Sequence, residues 1–493
     1  MGTSGTDLIA AVPHSLLVGL DGDVQNSNVV DLTHDSRMVG PGWAFACVPG
    51  EYHDGHDFAP GAVAAGSTLL VVERRLPLDV AQLVVGDVRR TMGSLAAVVH
   101  GRPSDQLRIV GVTGTNGKTT VTHLLGAILE AAGSDHRELG TLSGTRTTPE
   151  APDLQRQLRE FVDEGVDTVV MEVSSHALAL HRVRGVHFDV AVFTNLGHDH
   201  LDLHGSLEAY FRAKAQLFTT ELTDVGVTNV DDPYGCLLLD GAGIDMVGYR
   251  LADAADLAVG LGTHSFSWRG AEFRVPLGGE FNASNVIGAL TAAAQLGIAP
   301  DVAAMGLAGM STVPGRYEVV TDPGASVSVV VDYAHTPDGL VELLGAVRTG
   351  TAGGRVICVF GCGGDRDREK RPLMGAAAAE HADLVVVTSD NPRNEDPMAI
   401  IEEAVAGIEE RYRGRLTIDV DRRAGIRAAL HMAQPGDVVV IAGKGHEATQ
   451  TIGDTAHPFD DRAVARELLA DMHHTLPSDS THSGRSTANG GVA

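Results

Sequence analysis

Lys118 stands behind Gly114-Thr115-Asn116-Gly117 and ahead of Thr119-Thr120, an order of residue types suited to holding a nucleoside triphosphate. Glycines let backbone N–H groups converge on phosphate, and a helix beginning there adds the positive end of its dipole. In such a loop Lys118 reaches the β- and γ-phosphates and Thr119 faces a divalent cation. The common spacing G-x-x-x-x-G-K-[ST] fails, because Val112 occupies the first glycine position. Gly114 stands in, giving the shorter GTNGKT. The competing reading is a glycine-rich strand–helix turn with no ligand.

Three further groups could do chemistry. Glu172 ends the apolar run Val169-Val170-Met171; a carboxylate there could hold Mg²⁺ directly or through water, or cap the next helix. The segment Thr194 to His204 is dense in ligand-type residues. A metallohydrolase run H-x-H-x-D-H is one reading, but Leu203 stands where the last histidine belongs, and the phosphate loop has no place in it. The better reading puts one histidine near the nucleotide's metal and leaves the other polar residues to brace the loop. Arg393, in Ser389-Asp390-Asn391-Pro392-Arg393, is a guanidinium on a stiff loop, suited to bidentate carboxylate or phosphate binding. A salt bridge to Glu395 or Asp396 explains it equally well. Lys214, within Tyr210 to Phe218, has the spacing of an ordinary surface lysine on an amphipathic helix.

These residues need elements to position them. Apolar runs predict parallel strands at 107–112, 168–172 and 188–194, with amphipathic helices at 119–132 and 153–164, an α/β pattern with ligands at the carboxyl ends of strands. Before it, short runs at 44–48, 68–72 and 82–85, with a helical piece at 58–65, suggest a smaller α/β domain. After it, strands are predicted at 327–331, 355–360, 383–388 and 437–442. Each ends in a polar or glycine-rich loop (DYAHTPD, GCGGDRD, SDNPRNEDP, AGKGHE), and such loops would surround a shared crevice. Breaks at Arg102-Pro103-Ser104 and Val313-Pro314-Gly315 divide the chain into 1–102, 103–313 and 314–476. The polar tail 477–493 has too few apolar residues to pack.

Composition narrows the class. Over 493 residues the formal net charge is −27, with no basic stripe of the kind a nucleic-acid binder carries. No run of about 18 apolar residues predicts a membrane span, and the first residues lack the basic region of a signal peptide. The four cysteines, Cys47, Cys236, Cys358 and Cys362, lack metal-ligand spacing and read as reduced packing residues of a cytoplasmic enzyme.

GTNGKTT, MEVSSH, TNLGHDHLD, YFRAKAQLF, GEFNASN, PGRYE, DYAHTPD, GCGGDRDREKRP, DNPRNEDP and GKGHE occur in that order. Over roughly residues 30 to 470 the chain resembles the Mur ligases, the ATP-dependent amino-acid-adding enzymes of peptidoglycan synthesis. Within them it looks like the group that adds the third residue of the stem peptide. Folylpolyglutamate synthetases share the GTNGKT loop but not the C-terminal motifs. The resemblance implies an N-terminal UDP-substrate domain, a central P-loop ATPase-like parallel sheet and a C-terminal Rossmann-like domain. Asp35-Ser36-Arg37 then matches a segment that meets the uridine nucleotide, and Glu51-Tyr52-His53 falls where a second such loop lies. Thr147, Thr148, Ser174 and Arg182 match contacts to the muramoyl-dipeptide, while Leu180 replaces a glutamine that some members use. Asn285 and Arg316 match nucleotide contacts, and Asp332 and His335 a motif that closes on ATP. Glu172 and His200 match metal ligands beside Thr119. Lys214 matches a lysine carbamylated by CO₂ or bicarbonate to N6-carboxylysine, an anionic ligand or brace for Mg²⁺.

The implied reaction is amide formation through an acyl phosphate on UDP-N-acetylmuramoyl-L-alanyl-D-glutamate, by a monomer. In members with DNPR the added residue is meso-diaminopimelate. Arg393 would pair with its extra carboxylate and Arg366 with a second one, while Glu447 accepts the distal amine; Asp390, Asn391, Pro392 and Gly443 belong to the same loops. The alternatives are a lysine-adding ligase and a regulatory ATP-binding relative without ligase activity.

Overall fold

The computed structural model describes residues 2–474 except 145, 198, 323–324 and 352, with only the backbone of 201, 202, 473 and 474. Residue contacts divide the chain into two compact units. One runs to Glu318 and includes the stretch from Ala334 to residue 352; the other holds Val319–Tyr333 and the chain from Gly353 onward.

The first unit carries two main sheets. The N-terminal one has the order Leu17–Asp21, Ala81–Val85, Leu69–Val72, Trp43–Ala46, Asp31–Thr33. Its first pair is antiparallel and the rest are parallel. The second is six-stranded and parallel, in the order Asp245–Tyr249, Thr223–Asn229, Phe188–Phe193, Arg108–Thr113, Thr168–Glu172, His136–Leu139. Its central strands are apolar on both faces, as strands covered on both sides must be. Val110, Val112, Val170, Val190 and Val192 belong to one core, packed with the helices Lys118–Ala131 and Glu280–Gln295. Ile109, Val169, Met171, Phe188, Ala191 and Phe193 belong to the core on the other face. The three strands expected here are present within a residue at each end.

A three-stranded antiparallel sheet, Ala255–Val259, His264–Trp268 and Ala271–Val275, was not expected from the βαβ pattern. Phe266, Trp268, Phe273 and Val275 point into the first of those cores, while Ser265, Glu272 and Arg274 are exposed.

The N-terminal sheet and its helix Val88–Val99 meet the segments flanking the six-stranded sheet through charge and close backbone packing. Arg156 Nε donates to Asp31 Oδ2 at 2.9 Å, and its Nη2 to Oδ1 at 3.1 Å. His100 Nε2 lies 3.1 Å from the same Oδ1. Gly93 packs so closely that an added Cβ would fall 2.3 Å from the Arg184 carbonyl.

The second unit is built on a parallel sheet in the order Ser328–Asp332, Val438–Ala442, Val356–Phe360, Leu384–Val387, Leu416–Ile418, as expected for a Rossmann-like domain. A hairpin, Thr449–Ile452 with Thr455–Pro458, follows the last core strand. The buried pair Arg422–Asp461, at 2.7 Å, is fully enclosed. Arg422 also donates to the carbonyls of Ser389 and Ala442, fixing the ends of two strands.

Cys47, Cys358 and Cys362 are buried, as packing residues should be, but Cys236 is exposed. It sits on the short helix Pro233–Gly241, whose outer face also exposes Leu237 and Leu239. The tail 477–493 lies outside the described residues.

Candidate functional site

The strand Arg108–Thr113 hands over to the helix Lys118–Ala131 through the loop 114–117. Gly114 has φ +153° and Gly117 φ +86°, and both are crowded. An added Cβ at Gly114 would lie 1.8 Å from Thr194 Oγ1, and at Gly117 2.4 Å from Asn285 Oδ1. Glycine is therefore required at both positions. The neighbouring strand's end braces the loop. Thr115 N–H donates to the Asn195 carbonyl and Asn116 N–H to Asn195 Oδ1, each at 2.9 Å. Thr194 Oγ1 donates to the Asn116 carbonyl at 2.5 Å. Asn195 is among the polar residues of 194–204 expected to brace a loop, and it lies just past the strand Phe188–Phe193.

Glu172 ends its strand beside this loop and is buried. Its Oε1 accepts from Thr119 Oγ1 at 3.0 Å and from Thr141 N–H at 2.8 Å; its Oε2 accepts from Thr141 Oγ1 at 3.2 Å. Only a glycine at 140 leaves room, since a Cβ there would meet Oε1 at 2.3 Å. Among the described residues no Lys, Arg or His comes within ion-pair distance of Glu172. It does not cap the following helix; Ser174 does, accepting from Ala177 N–H. A buried carboxylate whose hydrogen bonds from Thr119 and Thr141 all come from neutral donors fits a divalent metal. Arg316 Nη2 donates to Thr119 Oγ1 at 3.3 Å, and Asn285 donates to Asn282 in the helix behind Gly117. Thr120 is buried in the first turn of the loop's helix.

Lys214 is not a surface lysine: it is 1% exposed. Its Nζ donates to the Gly114 carbonyl at 2.7 Å and lies 4.4 Å above the Tyr210 ring. Lys118 donates to the same carbonyl and to that of Thr115, each at 2.9 Å. Burial, reinforced by the charge of Lys118, holds the Lys214 ammonium well below the usual lysine range. Burial also lowers Lys118, against the pull of Glu172 and Asp199. His200 has φ +53° and packs edge-on to His176 at 5.2 Å. Its side chain is 44% exposed, and partial desolvation with the nearby charges of Lys118 and Lys214 lowers its imidazole below the usual histidine range. The metallohydrolase run takes in Asp202, whose side chain lies outside the described residues. His198 lies outside the described residues.

Thr147, Thr148, Ser174 and Arg182 gather around Glu172. Thr148 Oγ1 donates to the Glu172 carbonyl at 2.9 Å, and Ser174 N–H donates back to Thr148 Oγ1 at 3.2 Å. Thr147 Oγ1 lies 3.1 Å from Thr141 Oγ1. Arg182 donates to the Thr148 carbonyl and pairs with Glu150 at 2.8 Å. Ser36 stands apart on the N-terminal sheet's loop, beside the exposed pair Asp35–Arg37. Tyr52 is 85% exposed.

In the second unit, the loops after three parallel strands meet. Arg393 has φ +50°, a conformation that costs about 1 kcal/mol or more outside glycine. The hairpin secures it. Arg393 N–H donates to the Thr451 carbonyl at 3.1 Å, and Gly453 N–H to the Arg393 carbonyl at 2.7 Å. Its guanidinium donates to the Gly364 carbonyl and, among the described residues, meets no carboxylate at ion-pair distance. Glu395 is taken by Arg371 at 2.7 Å, and Asp396 caps the helix Pro397–Ala406. The salt-bridge reading of Arg393 therefore fails. Arg366 and Arg393 both border Gly363. Gly443, with φ +112°, passes Asp390 so closely that a Cβ would lie 2.7 Å from Oδ2, and its N–H donates to the Asp332 carbonyl at 3.1 Å. Asn391 Nδ2 donates to Glu447 Oε2 at 2.8 Å. Asp332 belongs to this unit, and His335 to the stretch grouped with the first.

Known proteins carry the same pattern. The sequence profiles of the Mur ligase family catalytic domain, the Mur ligase middle domain and the Mur ligase glutamate ligase domain match residues 28–100, 112–293 and 315–445. The UDP-N-acetylmuramoyl-L-alanyl-D-glutamate–2,6-diaminopimelate ligase of Syntrophomonas wolfei is 43% identical, over 92% of this chain and 97% of its own. That of Gloeobacter violaceus is 46% identical, over 93% and 98%. A solved structure of a ligase with the same name is 35% identical, covers 96% of this chain and 100% of its own, and superposes with a TM-score of 0.68.

Proposed function

This chain belongs to the Mur ligase family, and from that membership we propose that it joins 2,6-diaminopimelate to UDP-N-acetylmuramoyl-L-alanyl-D-glutamate at the expense of ATP, in peptidoglycan precursor synthesis. The near full-length likeness to ligases of that name carries the reaction. Arg393, a rigidly held guanidinium with no carboxylate partner among the described residues, supports the choice of a diamino acid with a second carboxylate.

The proposed chemistry runs in two steps. The side-chain carboxylate of the D-glutamyl residue attacks the γ-phosphorus of ATP, forming an acyl phosphate and releasing ADP. The amine of diaminopimelate then attacks the acyl carbon, the amide forms, phosphate leaves and the amine proton is lost. Two anions meet in the first step, so the site must neutralise charge. Lys118 and the N–H groups of Gly114 to Thr120 would cradle the triphosphate, with Asn285, Arg316, Asp332 and His335 as further nucleotide contacts. Ser36, Thr147, Thr148, Ser174 and Arg182 would orient the nucleotide-linked dipeptide.

Thr119, Glu172, His200 and Lys214 are the residues that would hold Mg²⁺, which when bound supplies positive charge to the phosphate oxygens. Lys214 would take part as a carbamate: the neutral amine adds to CO₂, forming an N–C bond and releasing one proton. A buried amine that loses its charge easily supports this, because only the neutral form is a nucleophile. Arg366 and Arg393 would bind the carboxylates of diaminopimelate, with Asp390, Asn391, Pro392, Gly443 and Glu447 completing that pocket.

The proposed division of labour follows residues 1–102, 103–313 and 314–476, in a monomer acting in the cytoplasm. No helix among the described residues is long and apolar enough to cross a membrane. The deciding experiment is phosphate release from ATP with purified protein and the UDP-muramoyl-dipeptide. Release on adding meso-diaminopimelate and not L-lysine is expected; the reverse would assign a lysine-adding ligase.

A further inference from the structure

We propose that Lys444 is a positioning residue for substrate choice, holding Glu447 and Asn391 together as a preformed receptor for the amino-acid head group of the incoming diamino acid. The inference rests on the function proposed above and adds to it a residue that touches no reacting atom.

Lys444 is completely buried, and all three of its ammonium donors are used. They go to Glu447 Oε2 at 2.9 Å, Asn391 Oδ1 at 3.1 Å and the Thr449 carbonyl at 2.6 Å. Asn391 closes the triangle by donating to the same Glu447 Oε2. Both bonds to Glu447 thus fall on one oxygen. Oε1 has no hydrogen-bond partner among the described residues, and the side chain is 31% exposed. One carboxylate oxygen is anchored and the other is presented, as a site for an alkylammonium requires.

The third donor extends this order to the hairpin. Thr449 begins the strand whose next residues hold the Arg393 loop. Gln450 Nε2 donates to the Asp390 carbonyl at 2.7 Å and Thr451 N–H to Asn391 Oδ1 at 2.9 Å, ahead of the Thr451–Arg393 bond. Lys444 therefore links the group placed to receive an amine with the loop placed to receive a carboxylate. Stability alone is a weak reason to enclose a lysine, because an apolar side chain of similar volume serves as well or better.

The test is steady-state phosphate release by Lys444→Met, Glu447→Gln and the double variant, with each substrate varied in turn. Lys444→Met is expected to raise the KM for diaminopimelate about tenfold, the scale of one unsatisfied buried partner. The KM values for ATP and the UDP-muramoyl-dipeptide should stay within about twofold, a tolerance set by small changes in stability. The double variant should be no worse than the poorer single one, because both act through one carboxylate. An unchanged KM for diaminopimelate, an equal rise in all three KM values, or additive effects would overturn the role of Lys444. Should Lys444→Met be insoluble, Lys444→Gln takes its place in the same cycle. Failure of the wild-type protein to release phosphate with diaminopimelate would instead overturn the proposed function itself.

Discussion

Lys118 and Lys214 share one acceptor: both Nζ atoms donate to the Gly114 carbonyl oxygen, at 2.9 and 2.7 Å. Two ammonium groups so close, with Lys214 enclosed, cannot both keep ordinary basicity. Lys214 yields further, because burial and the charge of Lys118 both lower it, whereas Lys118 keeps the countering pull of Glu172.

Lys214 should therefore take up CO₂. With ¹³C-labelled bicarbonate the wild-type protein should show one carbamate carbonyl signal that Lys214→Ala lacks. That variant should lose roughly 10²- to 10³-fold in kcat, the usual scale for one electrostatic group at a transition state. Full activity without the signal would rule the modification out.

Gly114→Ala should cost about 1–3 kcal/mol through overpacking, since its Cβ would strike Thr194 Oγ1. Thermal denaturation of Gly114→Ala with and without Thr194→Ala checks this. The second change should recover part of the loss, and no recovery would place the strain in the backbone alone.

Asp31 gives a pH signature. Burial alone would raise its carboxyl, but hydrogen bonds from His100 and Arg156 overcome that and hold it at about 2. A carboxyl depressed in the folded state contributes stability that is fully present above its unfolded value near 4 and lost as pH falls towards 2. The contribution is on the order of 2 kcal/mol. The stability gap between wild type and Asp31→Asn should therefore narrow between about pH 4 and pH 2. A gap constant over that window would show that the pairing carries no net weight.

Arg393→Ala should raise the KM for diaminopimelate by roughly 10²-fold or more, the scale of a charged hydrogen-bonded contact, and narrow the preference over lysine. Competition kinetics with the two amino acids measures it. An unchanged preference would move the carboxylate contact to Arg366.

The parallel strands could be read from the chain because covered strands are continuous apolar runs, as at Ile109–Val112 and Val438–Ala442. The antiparallel sheet from Ala255 to Val275 carries a different signal. Its apolar residues, Phe266 with Trp268 and Phe273 with Val275, alternate with Ser and charged residues, and each strand is only five residues long. Lys214's burial was not legible, because Arg212 beside it is exposed. What encloses Lys214 is Tyr210 and a loop 100 residues earlier. Arg393 was ambiguous for the same reason: the residue that removes Glu395 from it is Arg371, on a different helix.

Val112 sits where a longer phosphate loop would place its first glycine, and it is wholly buried in the sheet core. The shorter loop borrows its bracing from Thr194 and Asn195, just past the end of the neighbouring strand. GTNGKT is consequently not a portable cassette. Grafted alone onto another strand–helix turn, it would arrive without the two residues that set its backbone. Any transplant must carry both strands.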